Sequence, residues 1–173
     1  MGKYQRPVVS ILTVREIDGE VSVLLQRRSK PDDDTPYLGY LELPQGKISK
    51  NESMEEAASR ELREETGLEL RAILLGGPSP YGSDEPTSSL TTFRPPICVV
   101  DTEQNHIGVA IIVTAGGRIT STQEAAEHEW VALHRIPGIL ASGCVFPLNR
   151  PMLEELLKRG SEISGALSEQ EVQ

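Results

Sequence analysis

The sequence has few of the features that mark secreted and metal-thiolate proteins. It contains only two cysteines, Cys98 and Cys144, which stand far apart with no CxxC partner. Two isolated thiols suit a reducing cytoplasm better than a disulfide framework or a zinc site. We therefore expect a cytoplasmic protein.

Long apolar runs are also missing. No stretch approaches the roughly 18 consecutive apolar residues that a membrane span needs. The first ten residues, MGKYQRPVVS, have no apolar core of signal-peptide length. We expect no membrane partner.

Basic charge is scarce. Against 26 Asp and Glu there are 17 Lys and Arg, which gives a formal net charge of -9. Non-specific nucleic-acid binding needs a basic surface that displaces phosphate counterions, so we expect no DNA partner. A small phosphate-bearing ligand remains compatible with this charge, because divalent cations bridge carboxylates to phosphates.

The chain does have the length and pattern of one mixed domain. Its 173 residues suit a single domain over 1–173. Two β-branched runs joined by a hairpin turn at Asp18-Gly19 precede one helix, and further strands precede a second helix at about 150–160. This order predicts an α/β (α+β) fold, a mixed or antiparallel sheet with helices packed on it. The tail from about Ser161 is polar, and we expect it to fray.

Residues 54–66 have clear helix boundaries. Ser53 and Glu56 form a capping box, in which each side chain accepts a hydrogen bond from the other residue's backbone. Gly67 is suited to the left-handed conformation that ends a helix. The sequence therefore predicts a helix from Met54 to Thr66.

Three glutamates lie on an unexpected side of this helix. At about 100° per residue, the apolar arc contains Met54, Ala57, Ala58 and Leu62. Glu61, Glu64 and Glu65 fall within that arc, whereas Arg60 and Arg63 point elsewhere.

Carboxylates directed toward a partly buried surface need compensation. Desolvation of an unpaired carboxylate costs several kcal/mol. A hard divalent cation with oxygen ligands, Mg2+ or Mn2+, would relieve this repulsion. The alternative is that the glutamates simply extend into water, which is the usual outcome for such a short pattern.

The context of the helix resembles the signature of the Nudix hydrolases, Gx5Ex7REUxEExGU with U an aliphatic residue. The match runs from Gly46 to Leu68 and holds at every specified position: Gly46, Glu52, Arg60, Glu61, Leu62, Glu64, Glu65, Gly67 and Leu68. Nine fixed positions at fixed spacing are a strong signal, unlike a single short motif.

The resemblance implies a fold, a cofactor and a reaction. Nudix proteins are α/β/α sandwiches with a mixed sheet and a loop–helix–loop catalytic motif. They hydrolyse nucleoside diphosphates linked to another group, with metal-activated water attacking phosphorus. We therefore expect a Mg2+-dependent pyrophosphatase, with Mn2+ as a substitute, acting on a small nucleoside diphosphate derivative. Many relatives are dimers, so a homodimer is compatible with the resemblance, although no sequence feature marks an interface.

By position in the motif, the metal ligands would be Glu61, Glu64, Glu65 and the backbone carbonyl of Gly46. Arg60 and Glu52 would pair and hold the shape of the loop–helix–loop. A further carboxylate is needed to accept a proton from water, and we favour Glu124 among the candidates Glu124, Glu127 and Glu129. Glu65 itself is the alternative base.

Two flanking stretches bear on the substrate. LELPQGKI resembles the corresponding loop of Nudix enzymes that act on ADP-ribose and nucleotide sugars, except that Gln45 replaces a small residue. Pro-Gln-Gly also occurs in the branch that acts on dinucleoside polyphosphates and capped RNA. PSPYGSDE resembles a stretch of ADP-ribose pyrophosphatases, but with Tyr81 inserted. In LLQRRS, either Arg27 or Arg28 could reach a phosphate, because strand alternation allows only one, and we favour Arg27.

Our first hypothesis is hydrolysis of ADP-ribose or a nucleotide sugar. Hydrolysis of dinucleoside polyphosphates or nucleoside triphosphates is the alternative within the enzyme class. A non-catalytic Nudix-fold module that senses a nucleotide is the alternative of another class. Such modules usually lack residues of the motif, and none is missing here.

Overall fold

The structure is a computed structural model that describes residues 7–29, 37–80, 91–93, 97–101, 106–120 and 125–171. The strands are β1 (Val8–Ile17), β2 (Glu20–Arg28), β3 (Leu41–Glu42), β4 (Gln45–Lys47), β5 (Glu69–Leu74), β6 (Pro78–Pro80), β7 (Thr91–Phe93), β8 (Ile97–Asp101), β9 (His106–Gly116) and β10 (Ala125–Ala132). The helices are α1 (Met54–Thr66), α2 (Ile136–Ala141), α3 (Arg150–Lys158) and α4 (Gly160–Glu171). Within these ranges, no helix is long and apolar enough to cross a membrane.

Eight strands form one mixed sheet. The central order is β10-β2-β1-β9-β5, with β3 beside β2, β4 beside β1 and β8 beside β9. β1 and β9 run parallel from the pair Val8 and Gly108 to the pair Thr13 and Val113. The other pairings in this sheet are antiparallel. The predicted mixed sheet is confirmed.

The first hairpin follows from its turn residues. Asp18 and Gly19 have φ angles of 51° and 80°. Two consecutive left-handed residues make the turn whose twist matches that of the flanking strands. The turn sets the register in which Ile17 pairs with Glu20, as expected from the sequence.

Helices cover both faces of the sheet. Along β1, Val9 and Ile11 pack in the cluster that includes the apolar side of α1. Leu12 and Val14 pack in the opposite cluster, with α3 and α4. Strand alternation therefore divides the core into two layers, and the predicted α/β/α sandwich is confirmed.

The C-terminal segment corrects one prediction. It forms α4 instead of a frayed tail, and Ile163 and Leu167 are buried against the sheet. Residues four apart lie on the same side of a helix, so these two side chains attach an otherwise polar segment. Burial of each contributes about 1.5–3 kcal/mol. The expectation of fraying was wrong because it weighed overall polarity above this spacing.

Candidate functional site

Helix α1 carries four of the predicted site residues, Arg60, Glu61, Glu64 and Glu65, and its ends are as predicted. Glu56 N donates to Ser53 Oγ over 3.1 Å, and Ser53 N donates to Glu56 Oε2 over 2.8 Å. At the other end Gly67 has a φ of 76° and its N–H bonds Arg63 O. Both predicted boundaries are confirmed.

Glu61 lies at the inner edge of the site. Its side chain is 13% exposed, and burial raises the pKa of its carboxyl. The carboxylate lies against the backbone of Gly46 so closely that a β carbon on Gly46 would overlap it. The missing side chain at Gly46 therefore creates the space that Glu61 fills.

Glu65 is the most buried acid of α1. It is 8% exposed, and its Oε2 accepts hydrogen bonds from Gln26 Nε2 over 2.8 Å and from Gln45 N over 3.0 Å. Burial raises the pKa of Glu65 to about 8, although these two hydrogen bonds oppose the rise. A nearby positive charge would stabilise the ionised form of a carboxyl group that is buried this deeply.

Glu64 differs from the other two. Its side chain is 58% exposed, and its Oε2 accepts a hydrogen bond from Arg60 Nη1 over 3.2 Å. The sequence placed all three glutamates within the apolar arc. The structure buries Glu65, partly buries Glu61 and leaves Glu64 at the solvent edge, because Glu64 extends beyond the side of the helix that meets the sheet.

Arg60 and Glu52 form a two-pronged ion pair. Arg60 Nε bonds Glu52 Oε1 over 2.7 Å, and Arg60 Nη2 bonds Glu52 Oε2 over 3.0 Å. Arg60 Nη2 also bonds Lys47 O over 3.1 Å, and Ser49 N bonds Glu52 Oε2 over 2.7 Å. The hydrogen bonds from Arg60 and then from Ser49 lower the pKa of Glu52 to about 2. The pair thus fastens the 47–52 loop to α1.

Arg60 also corrects an expectation. We placed it away from the glutamates, yet its Nη1 lies 2.6 Å from Glu61 Oε1 and 3.2 Å from Glu64 Oε2. The long side chain folds along the helix, which a helical projection of Cα positions does not capture. One positively charged nitrogen therefore sits between the two carboxylates.

Comparison with known proteins identifies the family. A family model described as NUDIX domain matches residues 4–156. The chain belongs to the Nudix hydrolase family.

Two curated relatives support this membership. An ADP-ribose pyrophosphatase of Methanocaldococcus jannaschii is 26% identical over 134 residues, which cover 78% of this chain and 67% of that protein. An uncharacterized Nudix hydrolase of Schizosaccharomyces pombe is 45% identical over 60 residues, which cover 34% of this chain and 27% of that protein. The second match thus spans about a quarter of the yeast protein's length.

Solved structures share the Nudix fold. A Nudix hydrolase from Nitrosomonas europaea superposes with a TM-score of 0.63 at 18% identity, covering 92% of this chain and 74% of that chain. The Nudix domain of Shewanella oneidensis NrtR, complexed with ADP ribose, gives 0.56 at 18% identity, covering 91% and 90%. At these sequence identities, the structural similarity shows a shared fold and nothing more.

The Nudix motif residues supply oxygen ligands of the type that a hard divalent cation binds. Glu61 and Glu64 already share one positive nitrogen, and Glu61 abuts the Gly46 backbone. Carboxylate and carbonyl oxygens are the ligands that Mg2+ prefers. In the described part of the chain, no three His, Cys, Asp or Glu side chains converge in metal-holding geometry. Arg60 instead occupies the space between two of the acids.

Two buried polar residues behind the Nudix helix escaped the sequence analysis. Gln26 on β2 is fully buried and donates to Glu65. Glu42 on β3 is 4% exposed and pairs with Arg28 Nη1 at 3.0 Å. Burial raises the pKa of Glu42, and Arg28 opposes that rise. The sequence did contain a signal for a buried polar contact here: Gln26 is a glutamine at an inward-facing position of the apolar β2 run.

The remaining predicted site residues do not join this cluster in the described structure. Arg27 leaves β2 on the face opposite Gln26, where it pairs with Glu127 at 2.7 Å. Glu129 pairs with Arg135 at 2.8 Å. Glu124, our candidate base, lies outside the described residues, as does Tyr81 of the PSPYGSDE stretch. Among the described candidates for the base, only Glu65 lies in the cluster.

His128, to which the sequence analysis assigned no role, touches the end of the Nudix helix. Its Nε2 lies 3.0 Å from the backbone oxygen of Glu65. A carbonyl only accepts, so Nε2 carries the proton. Burial lowers the pKa of His128. Thr120 N similarly bonds Thr66 O over 2.9 Å, and together they satisfy carbonyls that the last turn leaves open.

Proposed function

We propose that this protein is a Mg2+-dependent pyrophosphatase that hydrolyses ADP-ribose or a related nucleoside diphosphate derivative, with Mn2+ as a substitute metal. The observation that carries the proposal is the position of the buried Glu65 and the partly buried Glu61 beside Glu64 on one helix. Burial raises the pKa of Glu61 and Glu65. Three adjacent acids in this setting favour a divalent cation.

Six residues of the motif have roles in this proposal. The metal would be held by Glu61, Glu64, Glu65 and the carbonyl of Gly46. When bound, it would supply an activated water and neutralise charge on the pyrophosphate oxygens. Glu52 fixes Arg60, and this pair orients the loop relative to the helix.

Proton transfer and phosphate binding involve residues away from the helix. Glu124 is our candidate for the base that accepts the proton from water, and Glu65 is the alternative. Arg27 is our candidate for a phosphate contact. For that role its guanidinium has to leave Glu127 and the carbonyl of Gly39, which it now bonds.

Three observations support ADP-ribose as the substrate. The M. jannaschii relative, whose alignment covers 78% of this chain, is named as an ADP-ribose pyrophosphatase. The NrtR Nudix domain, which has the same fold, was solved with ADP ribose. The stretch LELPQGKI resembles the loop of enzymes acting on ADP-ribose and nucleotide sugars. A cytoplasmic location and a homodimer remain predictions.

One residue favours a second substrate class. Gln45 precedes Gly46 where the ADP-ribose branch usually has a small residue, and Pro-Gln-Gly also occurs in the dinucleoside polyphosphate branch. Diadenosine tetraphosphate is therefore the second candidate substrate. A sensing module that binds the nucleotide without hydrolysis is the candidate of another class.

The test is a substrate panel with separation and identification of the products. Purified protein is incubated with Mg2+ and either ADP-ribose, a nucleotide sugar, diadenosine tetraphosphate or ATP. We expect ADP-ribose and water to give AMP and ribose 5-phosphate at the highest kcat/KM. Preferred cleavage of diadenosine tetraphosphate would favour the second class.

Binding without turnover is measured in parallel. ADP-ribose with Mg2+ should raise the melting midpoint, because a ligand that binds only the folded state stabilises it. A raised midpoint with no product from any substrate would contradict the enzyme proposal and favour the sensing module.

A further inference from the structure

The first two residues of β4, directly after the turn at Pro44, contact two Nudix carboxylates. Gln45 N donates to Glu65 Oε2 over 3.0 Å. The next residue, Gly46, contacts the Glu61 carboxylate. A shift of this turn therefore changes the surroundings of both acids.

The same turn is held from the opposite face of the sheet by Asn149, which precedes α3. Asn149 Oδ1 accepts a hydrogen bond from Leu43 N over 3.1 Å. Asn149 Nδ2 donates to Gln45 Oε1 over 2.9 Å. One side chain thus binds the residues on both sides of Pro44.

Two contacts from β1 complete the attachment. Ile11 N donates to Pro44 O over 2.8 Å, and Ser10 Oγ donates to Gln45 Oε1 over 3.0 Å. Ser10 and Asn149 are fully buried. Buried hydrogen bonds of this kind are costly to break, since the partner left behind is unsatisfied.

We propose that Asn149 is a positioning residue of the metal site, acting through the turn Leu43–Gln45 on Glu61 and Glu65. The inference rests on the proposed function. Asn149 does not touch the motif glutamates by any described hydrogen bond. It connects α3, which lies on one face of the sheet, to the Nudix helix on the other.

The chemistry of this position calls for an amide. Leu43 N needs an acceptor and Gln45 Oε1 needs a donor, and a planar amide presents both at once. Alanine supplies neither, and leucine fills the space without either hydrogen bond. Loss of a hydrogen-bond partner of a metal ligand typically weakens metal affinity about 10–100-fold, and release of the turn would displace such a partner, the Gln45 N–H that donates to Glu65.

The test compares Asn149→Ala with Leu156→Ala. Leu156 is fully buried on α3, the helix that Asn149 precedes, in the large cluster on that face of the sheet. Both variants remove buried atoms next to α3, but only Asn149→Ala releases the turn. Leu156→Ala therefore controls for general loosening of this layer.

Three measurements are made on both variants and the wild type. Hydrogen exchange by NMR, without metal, follows the amide of Gln45 relative to that of Ile111 in the central strand. The Kd for Mn2+ alone is measured by electron paramagnetic resonance. Steady-state kinetics with ADP-ribose separate kcat from KM.

For Asn149→Ala we expect Gln45 exchange at least about tenfold faster relative to Ile111, and a Mn2+ Kd raised about 10–100-fold. We expect kcat to fall while KM stays within about threefold, because substrate contacts are intact. Leu156→Ala should leave the Gln45-to-Ile111 exchange ratio, the Mn2+ Kd, kcat and KM within about twofold of their wild-type values. Equal values for the two variants would overturn the proposal.

If Asn149→Ala does not fold, Gln45→Ala decides the question. It removes the Gln45 side chain that Asn149 binds and keeps the Gln45 backbone N–H, which donates a hydrogen bond to Glu65. A weakened Mn2+ affinity is expected, and a wild-type affinity would overturn the proposal.

Failure of the proposed function is recognised separately. A wild type that binds Mn2+ but hydrolyses nothing contradicts the proposed function only. If the wild type binds no Mn2+, the proposed function fails and so does a role of Asn149 in positioning a metal site; faster Gln45 exchange would then show only that Asn149 holds the turn.

Discussion

The carboxylate of Glu61 occupies the space that a side chain on Gly46 would need. Two residues fifteen positions apart in the chain are thereby matched, one by lacking a β carbon and the other by extending a carboxylate over the bare backbone. This contact relates the loop before the Nudix helix to one of its acids.

Gly46→Ala tests that relationship. The added methyl group has to displace the Glu61 carboxylate, which is the end of a flexible side chain, so we expect the fold to survive. We expect kcat/KM to fall at least about 100-fold, because misplacement of catalytic groups by about 1 Å has effects of that size. The measurements are steady-state kinetics and thermal melting.

Gly138→Ala is the matched control for this variant. Gly138 lies on α2, and a β carbon there would meet nothing within 4 Å. It should keep wild-type kinetics. Wild-type activity in Gly46→Ala would show that the position of Glu61 is irrelevant to catalysis.

Glu64→Gln should separate activity from stability. The side chain is 58% exposed and bonded only to Arg60 by the described contacts, so the melting midpoint should move by only a few degrees. We expect kcat to fall about 100-fold or more, because a neutral amide is a poor ligand for Mg2+. Glu55→Gln, at an exposed position in the first turn of the same helix, should retain activity. Comparable losses in the two variants would contradict the assignment.

Glu65→Gln should stabilise the metal-free protein at high pH. The folded-state pKa of about 8 lies above the ordinary 4.5, so the folded state binds more protons than the unfolded state between these values. Stability of the wild type therefore falls as pH rises through this window. Glutamine keeps an oxygen for Gln26 and Gln45 without charge.

In EDTA, we expect Glu65→Gln to melt roughly 5–10 °C above the wild type near pH 9, and within a few degrees of it near pH 4.5. Thermal melting across this pH range is the measurement. A variant that is destabilised by the same amount at every pH would indicate that the carboxyl is not strained by its burial.

Glu52→Gln should act in the opposite direction. The folded-state pKa of about 2 lies below the ordinary 4.5, so the pair with Arg60 adds stability above about 4.5 that is lost as pH falls toward 2. We expect Glu52→Gln to melt below the wild type at neutral pH and to approach it below about pH 3. A constant difference between the two melting curves would exclude an ionic contribution from Glu52.

The Nudix helix could be predicted to the residue because its signals are local. Ser53 and Glu56 cap one end, and Gly67 stops the other. Burial of Glu61 and Glu65 followed from the same helical periodicity. The expected direction of Arg60 was wrong, since periodicity places the Cβ atom and does not describe how a long side chain folds back.

The support of the site could not be predicted, because it depends on distant pairings. Gln26 is 39 residues from Glu65, and Asn149 is 104 residues from Gln45. Such contacts arise only after β1, β2 and α3 have packed around the turn at Pro44. The shift of register between Ala126 and Glu129, the segment that contains His128, likewise has no sequence signal.

The central claim is that the acids of the Nudix helix hold a divalent cation, and Mn2+ titration followed by electron paramagnetic resonance tests it most directly. Wild type, Glu61→Gln and Glu55→Gln are titrated at about pH 7.5 without substrate. We expect Mn2+ bound by the wild type and by Glu55→Gln, and an affinity at least about tenfold weaker in Glu61→Gln. An affinity in Glu61→Gln equal to that of the wild type would contradict the account.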